Sequence, residues 1–359
     1  MPSLRAGTVA ICIAAAQVWV SGTVCLMSLL ARTIHMGKDD YVISNVPMAD
    51  ARSPARRVWH DVWKFRWIYL MLLPALLYFV IFKYVPLYGI QLAFKDYSLK
   101  GIAASPWNNF AHFKRMVAEP GFTGAFRNTI IISFMRIAFG FPFPIILAIL
   151  INELRLSKYK RVLQTVYTFP HFLSWVLLAG IMLNLLGSTG MMRKIVAAFS
   201  KDAAAHWGLL YDGDAYRWML IITDVWKEAG WGTIIYLAAI AGVDQSLYEA
   251  AEMDGCNRFQ RILHIMLPGI ISIIAIQFVL RIGFVMEGGF DQVFNTYTPP
   301  VFERGDIIDT YIYRISFQRS SSLNLGFPTA VGLFKNIINF ALLITANGIV
   351  KALGEETVL

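Results

Sequence analysis

The sequence predicts an all-α polytopic membrane protein, and both its composition and its apolar runs lead to that fold class. Hydrophobic residues make up 57% of the 359 residues, charged residues make up 15%, and the mean hydropathy is +0.55. Soluble domains average about 25% charged residues. An ordinary soluble enzyme and an intrinsically disordered chain are therefore excluded.

Seven mainly apolar runs are each close to the length that crosses about 30 Å of hydrocarbon as an α-helix. The first run lies close to the N-terminus and is considered separately below. The other six runs predict six core transmembrane helices, which membrane lipid would surround. The seven runs occupy residues 7–31, 67–82, 128–152, 162–187, 218–243, 265–288 and 327–350.

The basic residues predict the orientation of these helices. One cluster precedes the run 67–82, and a second lies in the short loop after the run 128–152. Basic residues in short loops favour the cytoplasmic side of a membrane. Segment 36–66 and loop 153–161 are therefore predicted to be cytoplasmic, and segment 86–126 extracytoplasmic. The clusters contain Arg52, Arg56, Arg57, Lys64 and Arg66, and then Arg155, Lys158, Lys160 and Arg161.

Residues 1–35 form a hydrophobic N-terminal segment with three interpretations. The segment carries Arg5 and the apolar run 7–31, but no convincing small-residue cleavage site follows the run. It can be an uncleaved leader, an extra transmembrane helix, or an upstream extension with Met36 as the working start. The polar residues after Met36 are typical of a cytoplasmic N-terminus, which favours the extension. We expect a chain that begins at Met36 to insert and assemble like the full chain.

The segment 244–268, DQSLYEAAEMDGCNRFQRILHIMLP, is long and polar although it separates two apolar runs. Ser246 and Asn257 are each followed three residues later by Glu or Gln, which is the spacing of a capping box. Gly255 stands between these two signals, where a left-handed helix C-cap favours glycine. The segment is therefore predicted to form two short helices joined at Gly255.

Within this segment, a motif resembles the EAA signature of the permease subunits of bacterial binding-protein-dependent ABC importers. The motif consists of Glu249-Ala250-Ala251, Gly255 four residues later, and then Ile265, Leu267 and Pro268. Three other stretches resemble the polysaccharide and acidic-oligosaccharide branch of that family. These stretches are Trp226-Lys227-Glu228 with Tyr236-Leu237-Ala238-Ala239, Gly140-Phe141-Pro142-Phe143-Pro144, and Thr168-Phe169-Pro170-His171-Phe172. The resemblance covers about residues 60–355 and implies a permease domain over 67–355.

The resemblance implies a transport subunit, not an enzyme, in the inner membrane of a bacterial cell. Such a subunit forms half of an inward pathway for a poly- or oligosaccharide, here expected to be acidic, such as alginate. The implied partners are a second permease subunit, a dimer of ATP-binding subunits and an extracytoplasmic solute-binding protein.

ATP hydrolysis is expected on a partner chain. The sequence contains no GxxxxGK followed by Ser or Thr, the loop that cradles nucleotide phosphates. ATP and Mg²⁺ are therefore expected on the ATPase, with no cofactor bound by this chain. The resemblance implies that the loop docks in a cleft of the ATPase, with Glu249 paired to a basic residue there. The implied coupling residues are Glu249, Ala250, Ala251, Asp254, Gly255, Leu267 and Pro268.

Polar side chains within the apolar runs indicate either a water-filled pathway or bonding between helices, because each buried charge costs about 2.5–3.5 kcal/mol on insertion scales. Asp224, Lys227 and Glu228 share one helical face. Aromatic rings would stack on sugars, and Lys227 or Arg281 would meet carboxylates. In the structural alternative, Lys227 neutralises Asp224 or Glu228. The pathway candidates are Trp175, Trp226, Lys227, Glu228, Gln277, Arg281 and Asn336.

An intramembrane glycosyl or acyl transferase is the alternative function. Asp224 and Glu228 would be its carboxylates, but Lys227 between them favours two charged carboxylates and leaves no general acid. We therefore assign no catalytic residue. The spacing of cysteine and histidine predicts no metal site, and no basic run is interleaved with the aromatic residues that nucleic acid would require. We expect His171 to be a hydrogen-bonded structural residue beside the helix break at Pro170.

Overall fold

A computed structural model of the protein describes residues 63–98, 100–154, 156–202, 208, 210–317 and 325–354. These residues form helices joined by turns, with an isolated bridge between Lys95 and Trp107. The chain divides into two compact units after Gln91, and each unit is described by itself. The predicted run 7–31, and the part of segment 36–66 that precedes residue 63, lie outside the described residues.

The first unit contains the run predicted at 67–82. Helix α1 covers Arg66–Phe79, and a π turn over Val80–Tyr84 and a 3₁₀ helix over Val85–Phe94 continue it. Together they form a 29-residue segment that is long and apolar enough to cross a membrane. None of the side chains of α1 is buried within the chain. Such an exposed apolar surface suits a helix that faces lipid or another subunit.

The second unit contains fifteen helices among its described residues, linked by short π and 3₁₀ turns. Several of them are consecutive pieces of one longer segment. In chain order they are α2 Ala111–Ala118, α3 Pro120–Gly140, α4 Pro142–Asn152, α5 Ser157–Thr168, α6 Trp175–Leu186, α7 Met191–Phe199, α8 Gly213–Ala241, α9 Gln245–Met253, α10 Arg258–Arg261, α11 Leu267–Gly269, α12 Ile271–Gly283, α13 Phe290–Thr296, α14 Phe302–Gly305, α15 Ile308–Phe317 and α16 Gly326–Ala352.

The described residues contain the six long apolar elements that the sequence predicts. Five segments satisfy both the length and the hydropathy of a membrane span. Helix α8 has 29 residues but is not among the five, because Asp224, Lys227 and Glu228 interrupt its apolar sequence. The five segments are Arg66–Phe94, Pro120–Asn152, Trp175–Phe199, Ile271–Thr296 and Gly326–Ala352.

The predicted run 162–187 is divided at Pro170, where the sequence predicts a helix break, so its bounds as one span are wrong. Helix α5 ends at Thr168, a 3₁₀ turn covers Phe169–Phe172, and α6 begins only at Trp175. Pro170 causes the break, because proline has no backbone N–H to continue the helical hydrogen bonds. The Ser174 hydroxyl then caps α6 by accepting a 3.3 Å hydrogen bond from the backbone N–H of Leu177.

The predicted run 265–288 is shifted towards the C-terminus. Its apolar segment covers Ile271–Thr296, and it includes α12, a 3₁₀ turn at Val285–Glu287 and α13. Gly288 and Gly289 adopt left-handed backbone angles and separate the turn from α13. The residues directly after the predicted run therefore form a further helix.

Helix α8 is the central element of the second unit, with α3, α4 and α5 packed against it. Near its N-terminal end, Tyr216, Met219 and Leu220 belong to a buried cluster that also contains residues of α6 and α13. Near its C-terminal end, Tyr236 and Ile240 belong to a second buried cluster. The charged middle of α8 therefore lies between two apolar cores.

A buried ion pair joins α15 to α16. Lys335 Nζ donates to Asp309 Oδ1 at 2.6 Å and to Oδ2 at 2.8 Å, and both side chains are buried. Lys335 is one of the polar residues that the sequence places in an apolar run. Its partner comes from the preceding helix, so this charge is neutralised within the chain.

We expect Asp309→Asn to lower the free energy of unfolding by about 3–5 kcal/mol, because it leaves the Lys335 ammonium buried without a counter-ion. Asp309→Leu combined with Lys335→Met should recover most of that loss. The measurement is thermal unfolding in detergent, with the exposed Lys351→Met as the control. A double variant no more stable than Asp309→Asn would contradict this role of the pair.

Candidate functional site

The segment 244–268 forms the two short helices that the sequence predicts. Helices α9 and α10 are joined at Gly255, whose φ of +75° lies in the left-handed region that glycine favours. The predicted capping box at Asn257 is confirmed, since its side chain and that of Gln260 exchange backbone hydrogen bonds. The capping box predicted at Ser246 is wrong.

Asp244, and not Ser246, caps helix α9. The backbone N–H of Ser246 donates to Asp244 Oδ1 at 2.9 Å, and this hydrogen bond lowers the pKa of the Asp244 carboxyl. An aspartate two residues earlier is a stronger acceptor at a helix N-terminus, because its charge also favours the helix dipole. The Glu249 carboxylate is consequently not used in capping and is exposed to solvent.

One face of α9 is exposed and the other packs on the membrane helices. Glu249, Ala250 and Met253 are exposed, and Met253 retains 88% of its accessible surface. Ala251 is buried, and Tyr248 packs on the cluster that contains Ala148, Tyr236, Ile240, Met266 and Ile270. Burial, together with the nearby Glu153 carboxylate, raises the pKa of the Tyr248 phenol. Helix α9 is therefore tied to the ends of α4, α8 and α12 through this one face.

The segment 244–268 is polar in composition, but its exposed side carries several large apolar side chains. Leu247, Phe259 and Leu263 expose 52%, 72% and 48% of their surface. Arg261 Nη1 lies 3.7 Å from Glu252 Oε2 and links the two helices across Gly255. Of the predicted coupling residues, Asp254 and Pro268 are also exposed, whereas Leu267 is half-buried. The loop thus presents small, apolar and acidic side chains on a surface supported from behind.

The middle of α8 carries a buried carboxylate that two guanidinium groups share. Arg136 Nη1 from α3 lies 3.3 Å from Asp224 Oδ1, and Arg281 Nη2 from α12 lies 3.5 Å from Asp224 Oδ2. The sequence-based alternative of an Asp224 to Lys227 pair is wrong, because Asp224 points to these two helices. Gln292, from α13, accepts a hydrogen bond from Arg136.

A second polar cluster lies one helical turn further along α8. Lys227 Nζ lies 2.9 Å from Glu228 Oε1 and also donates to the His171 carbonyl at 2.9 Å. His171 Nδ1 lies 2.8 Å from Glu228 Oε2. The prediction that His171 is a hydrogen-bonded residue at the Pro170 break is confirmed, and Lys227 binds the carbonyl that the break exposes.

Aromatic rings surround this second cluster. The ammonium of Lys227 lies 5.4 Å from the centroid of the Trp175 ring, a cation–π contact. The His171 and Trp231 rings stack with centroids 4.6 Å apart and planes 5° apart. Trp231 was not among the predicted pathway residues, although it lies three residues after Glu228 and therefore on the same helical face.

The structure brings together only some of the predicted pathway residues. Trp175, Lys227 and Glu228 form the second cluster, and Arg281 joins Asp224 in the first. Trp226 is two residues from Asp224 and two from Glu228, and a step of two residues turns an α-helix by about 200°. The exposed Trp226 side chain therefore lies on another side of α8. Gln277 and Asn336 are half-buried on α12 and α16, which pack together. Sequence reasoning did not select Arg136 or Gln292 as pathway candidates.

The first polar cluster lies beside the junction of α3 and α4, and the second lies beside a helix break. Gly140 ends α3 next to the first cluster, and the 3₁₀ turn at Phe169–Phe172 adjoins the second. Irregular backbone at membrane depth is tolerated where it is buried in protein or lines a cavity. Within the described ranges, no group of three or more His, Cys, Asp or Glu residues could hold a metal ion. The two clusters bring cationic, carboxylate and aromatic side chains together.

Comparison with known proteins assigns this architecture to a family. Residues 122–291 match the family described as binding-protein-dependent transport system inner membrane component. Protein LplB of Bacillus subtilis (strain 168) is 41% identical over 293 residues, which cover 81% of this chain and 90% of LplB. The polygalacturonan/rhamnogalacturonan transport system permease protein YteP of the same organism is 39% identical, over 81% of this chain and 89% of YteP.

Two crystal structures share the fold. One is a bacterial ABC transporter involved in the import of the acidic polysaccharide alginate, with a TM-score of 0.75 and 35% identity over 82% of this chain and 99% of the other. The second shows a bacterial alginate ABC transporter in complex with an alginate pentasaccharide-bound periplasmic protein. Its TM-score is 0.76, again at 35% identity, over 84% of this chain and 99% of the other.

These similarities cover both polar clusters and the loop, and they support transport over the transferase alternative. The relatives are permease components and not enzymes. The apolar helices and the shared fold make the protein a multi-pass membrane protein. The chain belongs to the family of inner membrane components of binding-protein-dependent transport systems, and it is an ABC importer permease.

Proposed function

We propose that the protein is one of two permease subunits of an importer in the bacterial inner membrane, which moves an acidic poly- or oligosaccharide into the cell. An extracytoplasmic solute-binding protein delivers the saccharide. A dimer of partner subunits binds ATP and Mg²⁺ and supplies the energy. This chain and the second permease subunit each form half of the pathway.

The observation that carries the proposal is the exposed surface of α9 and α10. Glu249 is free of any capping role, Ala250 leaves room for a close approach, and Met253 exposes its side chain to solvent. A partner with an apolar cleft and a basic residue would cover this surface. Because Tyr248 and Ala251 tie α9 to the membrane helices, a tilt of the docked partner would move α4, α8 and α12 together.

The pathway is assigned to the two polar clusters on α8. The rings of Trp175 and Trp231 suit stacking on sugars, and the Lys227 and Arg281 cations suit carboxylates. Gln277, one turn before Arg281 on α12, would extend this face. Trp226 is exposed and Asn336 is half-buried, and both would line the pathway where the second permease subunit faces them.

Two of the similar proteins support an acidic substrate. One transports alginate and the other is named for polygalacturonan and rhamnogalacturonan, and all three polymers carry carboxylates on their sugar rings. The chain has 32 Lys and Arg residues and 23 Asp and Glu residues, and this positive net charge also favours an acidic substrate. Part of the basic excess serves the orientation of the chain in the membrane. The substrate class therefore rests mainly on these relatives and on the cations within α8 and α12.

The assembly can be tested by purifying the tagged chain from bacterial membranes in mild detergent. We expect an ATP-hydrolysing subunit and a second polytopic chain to copurify with it. Leu247→Asp should release the ATPase and leave the second permease subunit bound, because it places a charge in the exposed apolar surface of α9. The readouts are the subunit stoichiometry and the ATPase activity of the purified complex.

Val117→Asp is the matched control for this experiment. Val117 on α2 exposes 72% of its surface and lies in the segment predicted to be extracytoplasmic. The same apolar-to-acidic change there should leave the ATPase bound. Equal loss of the ATPase in both variants would show a general assembly defect and would contradict docking at α9.

A further inference from the structure

The cluster around Asp224 contains more positive than negative charge. Arg136 and Arg281 both contact the Asp224 carboxylate, at 3.3 and 3.5 Å. Charge-assisted hydrogen bonds between these groups are commonly about 2.7–2.9 Å long. Neither contact is therefore a tight bidentate pair. Two guanidinium groups and one carboxylate leave a net charge of +1 on the cluster.

The neighbouring polar groups do not neutralise this charge. Gln292 contacts Arg136 but is an uncharged amide, and its nitrogen donates to the Leu220 carbonyl at 2.9 Å and to Thr223 Oγ1 at 2.7 Å. The next carboxylate along α8 belongs to Glu228, and both of its oxygens are bound. Lys227 balances the charge of Glu228, so the two clusters together keep an excess of one positive charge.

The excess charge is accessible at only one of the two arginines. The side chains of Arg136 and Asp224 are 12% and 8% exposed, whereas that of Arg281 is 39% exposed. A guanidinium group has five N–H donors in a planar fork. Arg281 has one long contact to Asp224 and a side chain that is partly exposed, so the guanidinium has donors left for a ligand.

A residue without a side chain lies beside the Arg281 guanidinium at the end of helix α3. A Cβ atom at Gly140 would lie 3.5 Å from Arg281 Nη2, so the residue beside the guanidinium carries no side chain that could cover it. Gly140 is followed at once by the break at Phe141. At Gly140, helix α3 therefore approaches Arg281 with backbone only.

We propose that Arg281 binds the carboxylate of a uronic acid residue of the saccharide, with Asp224 as the resident counter-ion that holds the guanidinium in place. This inference rests on the proposed function and identifies the residue that recognises the carboxylate of the substrate. A carboxylate would bring one negative charge to a cluster with one positive charge in excess. It would also accept two parallel hydrogen bonds from the exposed fork. A neutral sugar could do neither.

The test compares tetragalacturonate with its fully methyl-esterified form, which has the same sugar backbone but no charge. The assembled importer with its binding protein is assayed for saccharide-stimulated ATP hydrolysis. We expect Arg281→Gln to raise the KM for tetragalacturonate about 10- to 100-fold, the range for a lost hydrogen bond to a charged group. The KM for the ester should not change, and Arg281→Lys should show an intermediate shift.

Two further variants keep the proposal falsifiable. Gly140→Leu retains the charge of Arg281 but covers the guanidinium, so it should also raise the KM for tetragalacturonate only. Arg115→Gln removes the same charge from an exposed arginine outside the spans and should leave both KM values unchanged. If Arg281→Gln assembles poorly and Asp224→Asn restores both its assembly and its KM, Arg281 has a structural role only and the proposal fails.

The outcomes separate this proposal from the proposed function. A well-assembled Arg281→Gln importer with an unchanged KM for tetragalacturonate would overturn the subsite alone. A wild-type importer that responds to neutral but not to acidic oligosaccharides would overturn the substrate class and the subsite with it. A KM that rises equally for the acid and its ester would exclude recognition of charge at Arg281.

Discussion

Glu249→Ala and Gly255→Pro are each expected to abolish ATP-coupled uptake and to leave membrane insertion intact. The carboxylate of Glu249 is exposed and has no structural role in α9, whose cap is Asp244. Its loss should therefore remove only a contact with the ATPase. Gly255 has a φ of +75°, and proline, whose φ is held near −65°, would force α9 and α10 into another relative orientation.

Uptake of labelled oligosaccharide into cells, with the amount of protein in the membrane determined in parallel, measures both effects. Glu303→Ala, at an exposed glutamate outside the loop, is the control for loss of a carboxylate. Gly255→Asn should retain more uptake than Gly255→Pro, because asparagine tolerates left-handed backbone angles. Wild-type uptake by Glu249→Ala and Gly255→Pro would remove the loop from the coupling mechanism.

Gly230→Ala is expected to lower the free energy of unfolding by about 3 kcal/mol or more and to reduce the yield of folded protein. A Cβ at Gly230 would overlap the Tyr167 carbonyl group and lie 2.6 Å from the backbone nitrogen of Thr168. These atoms are backbone, and they cannot rotate away as a flexible side chain would. Overpacking of a close helix crossing commonly costs about 1–3 kcal/mol, and backbone contact places this site at the upper end.

The matched control is Gly180→Ala on α6, where no atom lies within 4 Å of the added Cβ. That variant should be neutral or more stable by up to about 1 kcal/mol, because alanine favours a helix over glycine. The yield after gel filtration and the thermal unfolding temperature in detergent are the two measurements. Equal stability of both alanine variants would contradict the close crossing of α5 and α8.

Much of the architecture could be predicted from the sequence because membrane insertion depends on local properties. Runs of about 20 apolar residues predict helices whatever surrounds them, since backbone groups in hydrocarbon must bond within their own segment. The two helices of the loop were predictable for the same reason, because the capping residue Asn257 and the left-handed Gly255 act through neighbours in the chain. The EAA motif likewise lies within one short segment.

The predictions that failed concern places where the sequence offers two similar solutions, either two capping residues or two sets of bounds for one span. Asp244 and Ser246 can both cap a helix, and the structure has the charged Asp244 as the N-cap of α9. The apolar run 162–187 is long enough for one span, but Pro170 divides it and the apolar segment continues to Phe199. The residues before the break are less apolar than those after it, so the membrane span begins only at Trp175.

The sequence by itself determined that this protein crosses a membrane several times, which loop is exposed between spans, and which residues carry charge inside them. Only the tertiary structure decided the partners of those charges. Arg136, Asp224 and Arg281 come from three helices, and the distance between them depends on how α3 and α12 pack on α8. Ion pairs between helices join residues far apart in the chain, so helix packing, and not local sequence pattern, leaves this cluster with one positive charge in excess.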